Sequence, residues 1–196
     1  NQIGGLNYNQ GYIVKMNYES SGNNVLFSGE LIPSDIEMFF NEGWSIISYL
    51  NRESALVEEM MESIVQDLII IKDEDGLIYW PQFGVNSMNY MYPGRGYQIK
   101  LSSGLPFSYL PTSASRFSDF ENTLETTYYS NPKNTGENMT LGIPISSWGF
   151  SPSLGDEIGV FSSDGILVGS EVFNGKSIAI SIWGDDFSSF EKDGII

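Results

Sequence analysis

Carboxylates crowd two short stretches of this sequence. Asp185, Asp186, Glu191 and Asp193 fall close together near one end, and Asp73, Glu74 and Asp75 run directly into Gly76. Like charges this near one another repel unless water or a cation neutralises them. Oxygen donors of this kind suit a hard cation, and calcium is the one they would take. Neither stretch has the alternating ligands and terminal Glu of an EF-hand loop. The competing reading is a solvated turn at Asp73–Asp75 and an exposed acidic loop at the second stretch. Asp156 and Glu157 follow Gly155 at the start of a strand and could approach the same end of the fold.

Other chemistry is narrowed by what the chain lacks. It contains 0 His and 0 Cys, which removes thiol nucleophiles, Ser-His-Asp triads and the common zinc sites. Two carboxylates can hydrolyse a glycoside when they stand about 5 Å or about 6.5–9.5 Å apart across a sugar-shaped cleft. No feature of the sequence marks such a cleft. Gly94-Arg95-Gly96-Tyr97 lacks the spacing of a phosphate-binding loop. Asn138-Met139-Thr140 fits the acceptor pattern for N-glycosylation. Trp44, Tyr79, Trp80, Tyr92 and Tyr97 form an aromatic group that fits either core packing or an exposed platform for a sugar or protein partner.

The elements that must position these residues can be read from periodicity. Gly43–Leu50 reads as a strand apolar on both faces, hence buried on both. Ser54–Val65 carries Leu56, Met60 and Ile64 at helical spacing, with Ser54 as the expected N-cap. Leu68–Lys72 and Leu77–Trp80 flank the Asp73–Gly76 turn as a hairpin. In Gly96–Leu101, Tyr97, Ile99 and Leu101 share one strand face and Gln98 and Lys100 the other. The later part reads as all β. Strands are expected at Leu124–Tyr129, Asn138–Ile143, Gly155–Phe161 and Ile166–Ser170, with a hairpin turn at Asn174-Gly175 joining Val172-Phe173 to Ile178–Trp183.

A short internal repeat sets the organisation. An ungapped shift of 85 positions takes Asn1 to Asn86, Gly11 to Gly96, Tyr12 to Tyr97 and Lys15 to Lys100. Ile3 and Met88, Leu6 and Met91, Val14 and Ile99, and Met16 and Leu101 are apolar in both copies. Residues 1–17 therefore read as the C-terminal strand segment of a preceding repeat, and a parent polypeptide would carry units of about 85 residues. The expected fold is mixed. A small α+β module over 18–106 precedes an all-β, sandwich-like module over 121–196, with a partial preceding module at the N-terminus. The opening residues and the closing Asp193-Gly194-Ile195-Ile196, which reads as the start of a strand, suggest a segment of a longer chain.

The formal charge is −16, from 9 Lys and Arg against 25 Asp and Glu. The basic residues are scattered, so no phosphate-tracking surface and no nucleic-acid partner is expected. No apolar run is long enough to span a membrane.

Two strings carry a family resemblance: GWSIISYL with LIIIKDEDGLIYWPQFGVNSMNYMYPGRGYQIKLS, and GDEIGVFSSDGILVGS with SIAISIWGDDFSSFEKDG. The chain resembles repeat modules of large secreted or cell-surface proteins of Bacteroidetes-type bacteria, associated with type IX secretion. Viral surface appendages would share this modular logic. The repeat offset of 85, the absence of His and Cys chemistry and the acidity point to a non-enzymatic, displayed extracellular or surface protein acting as adhesin, spacer or assembly unit. Its partners would be neighbouring modules of the same polypeptide, and glycans or surface proteins. A calcium-dependent carbohydrate-binding module accessory to an enzyme is the alternative. The resemblance brings no catalytic residue with it.

Overall fold

The computed structural model describes residues 7–12, 29–30, 32–112, 126–130, 132–186, 190 and 192–196. Its first unit contains β1 (Met38–Phe40), β2 (Gly43–Ser48), β3 (Ala55–Leu56), α1 (Val57–Met61), β4 (Leu68–Lys72) and β5 (Ile78–Trp80). It continues through β6 (Val85–Asn86), β7 (Tyr90–Met91), β8 (Gly96–Leu101) and β9 (Leu105–Phe107). The second unit is β-rich: β10 (Asn138–Ile143), β11 (Glu157–Phe161), β12 (Leu167–Val172) and β13 (Ile178–Trp183). The architecture is thus a small helix with several sheets, followed by a β-rich region.

An antiparallel sheet in the order β2-β8-β4-β5-β6 organises the first unit. Ile47 pairs with Tyr97 and Ile71 with Ile99, which places them on one face with Leu101. That face is buried against Met60, Met61 and Ile64 from the helical segment, and against Phe40 and Phe107 from the β1-β9 pair. Each large apolar side chain removed from water here contributes about 1.5–3 kcal/mol before entropy is counted. The core reaches Tyr109, 1% exposed, whose hydroxyl donates to the Ser48 carbonyl at 2.8 Å. Phe107 and Tyr109 thus pack in the same buried cluster as the sheet.

The helix is shorter than its periodicity predicts. Ala55-Leu56 is drawn into a ladder with β7, and the Val57 N–H donates to the Asn89 carbonyl at 2.9 Å. The N-cap is Leu56, not Ser54, and the last turn tightens to a 3-10 turn over Glu62–Ile64. The apolar stripe still faces inward, because a tight turn preserves it.

The opposite face of the sheet joins the two units. Ile78, Val85 and Ala179 form a buried cluster with Ile70 and Trp80 packed against it. Among the described residues, only the β4-β5-β6 side is covered this way. On the β2 side Trp44 is 55% exposed, so the expected burial of that strand on both faces does not hold.

The second unit is built from two ladders, β10 with β13 and β11 with β12. Asn174-Gly175 does turn the chain, with φ +82 at Gly175. It does not close a hairpin, since β12 and β13 belong to different ladders. Instead β12 lies directly on β13 at Gly169, where a Cβ would meet the Ser181 carbonyl oxygen at 2.8 Å. The predicted strand at Leu124–Tyr129 lies partly outside the described residues, and 126–129 carries no strand.

Candidate functional site

The Asp73–Gly76 turn is both an electrostatic knot and a mechanical plug. Asp73 is 5% exposed, and its Oδ1 accepts the N–H groups of Asp75 at 3.0 Å and Leu77 at 2.9 Å. Burial pushes its pKa up to about 6, against the lowering effect of those two hydrogen bonds and of Arg95. Arg95 is the cation for this turn: its guanidinium lies 3.3 Å from Asp75, 3.7 Å from Glu74 and 3.9 Å from Asp73. No spacing along the chain signals this role.

On its other side the turn enters the second unit. The Ser181 hydroxyl donates to the Asp75 carbonyl at 3.0 Å, and the Thr140 hydroxyl to the Gly76 carbonyl at 3.4 Å. Lys72 Nζ donates to Asn138 Oδ1 at 3.1 Å and to its carbonyl at 3.3 Å. Burial holds the Lys72 pKa below the usual lysine range. Asn138, the candidate glycan acceptor, is thereby held in the junction. Beside it opens a cleft of about 840 Å³ lined by Tyr12, Ile46, Lys72, Asp73, Gln98 and Asn138 among others.

The second acidic stretch closes the end of the β10-β13 ladder. Asp185 Oδ1 accepts the Asp193 N–H at 2.9 Å, and Asp193 Oδ1 accepts the Asp186 N–H at 3.2 Å. Lys133 pairs with Asp193 and holds its carboxyl below the usual range, with the Asp186 N–H assisting. Ile195 bridges Gly184 in parallel, the one fragment of the expected strand. A Cβ at Gly194 would run into the Gly184 carbonyl, so only glycine permits this closure. Glu191 lies outside the described residues. Among the described residues no three acidic groups are arranged to hold a metal ion. Asp185, Asp186 and Asp193 are brought together, as are Asp73 and Asp75, but a protein cation stands beside each set.

Glu157 belongs to neither set and is an N–H acceptor. Its carboxylate takes the N–H groups of Thr127, Tyr128 and Tyr129 at 2.8–3.0 Å and the Thr127 hydroxyl at 2.7 Å. These bonds lower its pKa to about 2.

The aromatic group divides by location. Tyr79 and Tyr97 are core residues, at 9% and 1% exposure, and offer no contact surface. Trp80 is packed between the units, with Gly142 making room: a Cβ there would stand 2.9 Å from the indole ring. Trp44 and Tyr92 are exposed, covered by cations from Lys100 at 5.6 Å and Arg95 at 5.5 Å. Among the described ring pairs, the exposed ones meet at 50–85°, and the stacked pair Phe40–Phe107 is buried.

Comparison with protein-family models, curated proteins and solved structures finds no match. No helix among the described residues is long and apolar enough to cross a membrane.

Proposed function

We propose that this chain is a structural element of a modular extracellular or cell-surface protein, serving as a spacer or assembly unit and carrying out no bond chemistry itself. The observation that supports this reading is the plugged junction. The Asp73–Gly76 turn of the α+β unit is hydrogen-bonded into β10 and β13, over an apolar cluster shared by both units. A junction of this kind makes one stiff block of two units, which is what a load-transmitting spacer requires. The net charge of −16 keeps such a block soluble and opposes indiscriminate self-association.

The test is equilibrium unfolding followed by two probes, one reporting on each unit. Coincident transitions are expected, as is a single rupture event when the chain is stretched from its ends. Two separated transitions would remove the stiff-block reading. Antibody access on intact producing cells tests the surface location.

A further inference from the structure

Among the described residues, the outer face of the five-stranded sheet is covered on the β4-β5-β6 side and open on the β2 side. Trp44, Ile46, Gln98 and Lys100 share this open half, since Trp44 pairs with Lys100 and Ile46 with Gln98. Residues 7–12 border it. The Gly11 N–H donates to the Ile46 carbonyl at 2.9 Å on the outer edge of β2, and the Ser48 hydroxyl donates to the Tyr8 carbonyl. A Cβ at Gly11 would stand 2.5 Å from Ile46 Cγ2, so the approach depends on glycine.

Residues 7–12 are built like residues 92–97. The Tyr12 hydroxyl accepts the Asn7 N–H at 2.8 Å, and the Tyr97 hydroxyl accepts the Tyr92 N–H at 2.7 Å. The Gln10 N–H donates to the Asn7 carbonyl at 3.2 Å, and the Arg95 N–H to the Tyr92 carbonyl at 3.3 Å. Each bond maps onto the other by the same shift of 85 that aligns the sequences. The surroundings differ. Tyr97 fills the core of its unit at 1% exposure, while Tyr12 is 40% exposed.

We propose that the outer edge of β2 and the open half of the sheet face are the docking surface for a second copy of the α+β unit, the copy that residues 7–12 close. This rests on the modular reading above and names its partner. Tyr12 closes a turn equivalent to that of its twin but, among the described residues, lacks the apolar surroundings its twin has, and a second unit supplies them. Lys100 lies on this open half beside Trp44, in a chain with only 9 basic residues. A cation here attracts an acidic copy.

Two full-length chimeras and one extended chain test this. The first chimera replaces residues 92–102 with the sequence of residues 7–17. The second does the same but keeps Arg95, so that the Asp73 turn retains its cation. The extended chain places a second copy of residues 18–85 ahead of Asn1. We expect the Arg95-retaining chimera to melt cooperatively within about 10 °C of the parent, as for a change of a few kcal/mol in a chain this size. A scrambled 7–17 sequence at the same place should abolish cooperative melting. In the extended chain, the Gly11 amide and the Trp44 region should exchange hydrogen at least about tenfold more slowly. Loss of cooperative melting in the Arg95-retaining chimera, or unchanged exchange in the extended chain, overturns the proposal. Neither failure affects the two-unit block, which is read in the parent chain alone.

Discussion

Gly76 and Ser181 meet where the two units join. Gly76 adopts φ +80, and a Cβ on it would fall almost on the Ser181 hydroxyl, which itself donates to the neighbouring Asp75 carbonyl at 3.0 Å. The glycine is needed twice, for the turn and for the contact. Gly76→Ala should therefore cost both the left-handed strain of about 1–3 kcal/mol and about 1 kcal/mol for the displaced hydrogen bond. Gly136→Ala, at φ +83 with nothing within 4 Å of its Cβ, isolates the strain. Denaturant unfolding of both variants should show the larger loss at Gly76. Equal losses would mean that the Ser181 contact carries no weight.

Asp73 gives the fold a pH dependence of unusual sign for a carboxylate. Its folded pKa of about 6 lies above the ordinary aspartate value of 3.8, so the folded state binds the extra proton between those limits. Stability should fall as pH rises from about 4 to about 6 and level off above. The contribution is at most about 3 kcal/mol, at 1.36 kcal/mol per pKa unit. Asp73→Asn keeps an oxygen acceptor for the Asp75 and Leu77 N–H groups and should flatten that window. Urea unfolding across pH 4 to 7 measures both proteins.

Glu157 titrates the other way. With its folded pKa lowered to about 2 from the ordinary glutamate value of 4.5, its contribution is complete above about 4.5 and is lost as pH falls through about 2. Glu157→Gln removes the charge and leaves one oxygen for three backbone donors. Amides of Thr127, Tyr128 and Tyr129 should then exchange several-fold faster, with the first unit unchanged. Unaltered exchange at these positions would show that the carboxylate does not hold the segment.

Calcium at the Asp185–Asp193 end must compete with Lys133. The parent should therefore shift its melting temperature by less than about 2 °C between calcium and chelator. Lys133→Ala frees the Asp193 carboxylate and should enlarge the calcium response. A large shift in the parent, absent from Asp193→Asn, would show that calcium displaces the lysine.

The two tyrosines that close equivalent turns should differ in weight. Tyr97→Phe removes the acceptor of the Tyr92 N–H inside the core and should cost about 1 kcal/mol. Tyr12→Phe, at an exposed ring, should stay within about 0.5 kcal/mol. Thermal melts of the two variants decide this.

Much of the fold was legible because strand periodicity and turn chemistry are local. Tyr97, Ile99 and Leu101 point inward as their alternation requires, and the hairpin around Gly76 forms where Asp-Gly allows positive φ. Pairing between distant segments is not local, and there the reading failed. Asn174-Gly175 is an equally good hairpin signal, yet β13 pairs with β10 along its whole length, from Ile178 opposite Ile143 to Trp183 opposite Asn138. Ala55 and Leu56 had helical spacing until β7 offered them a ladder. The sequence by itself determined the turns, the alternating faces and the absence of His and Cys. Tertiary structure alone decided that Arg95 would neutralise Asp73, that Lys133 would meet Asp193 and that Trp80 would lie between units. Coulombic and packing partners are chosen by which surfaces fold together, and no spacing along the chain encodes that choice.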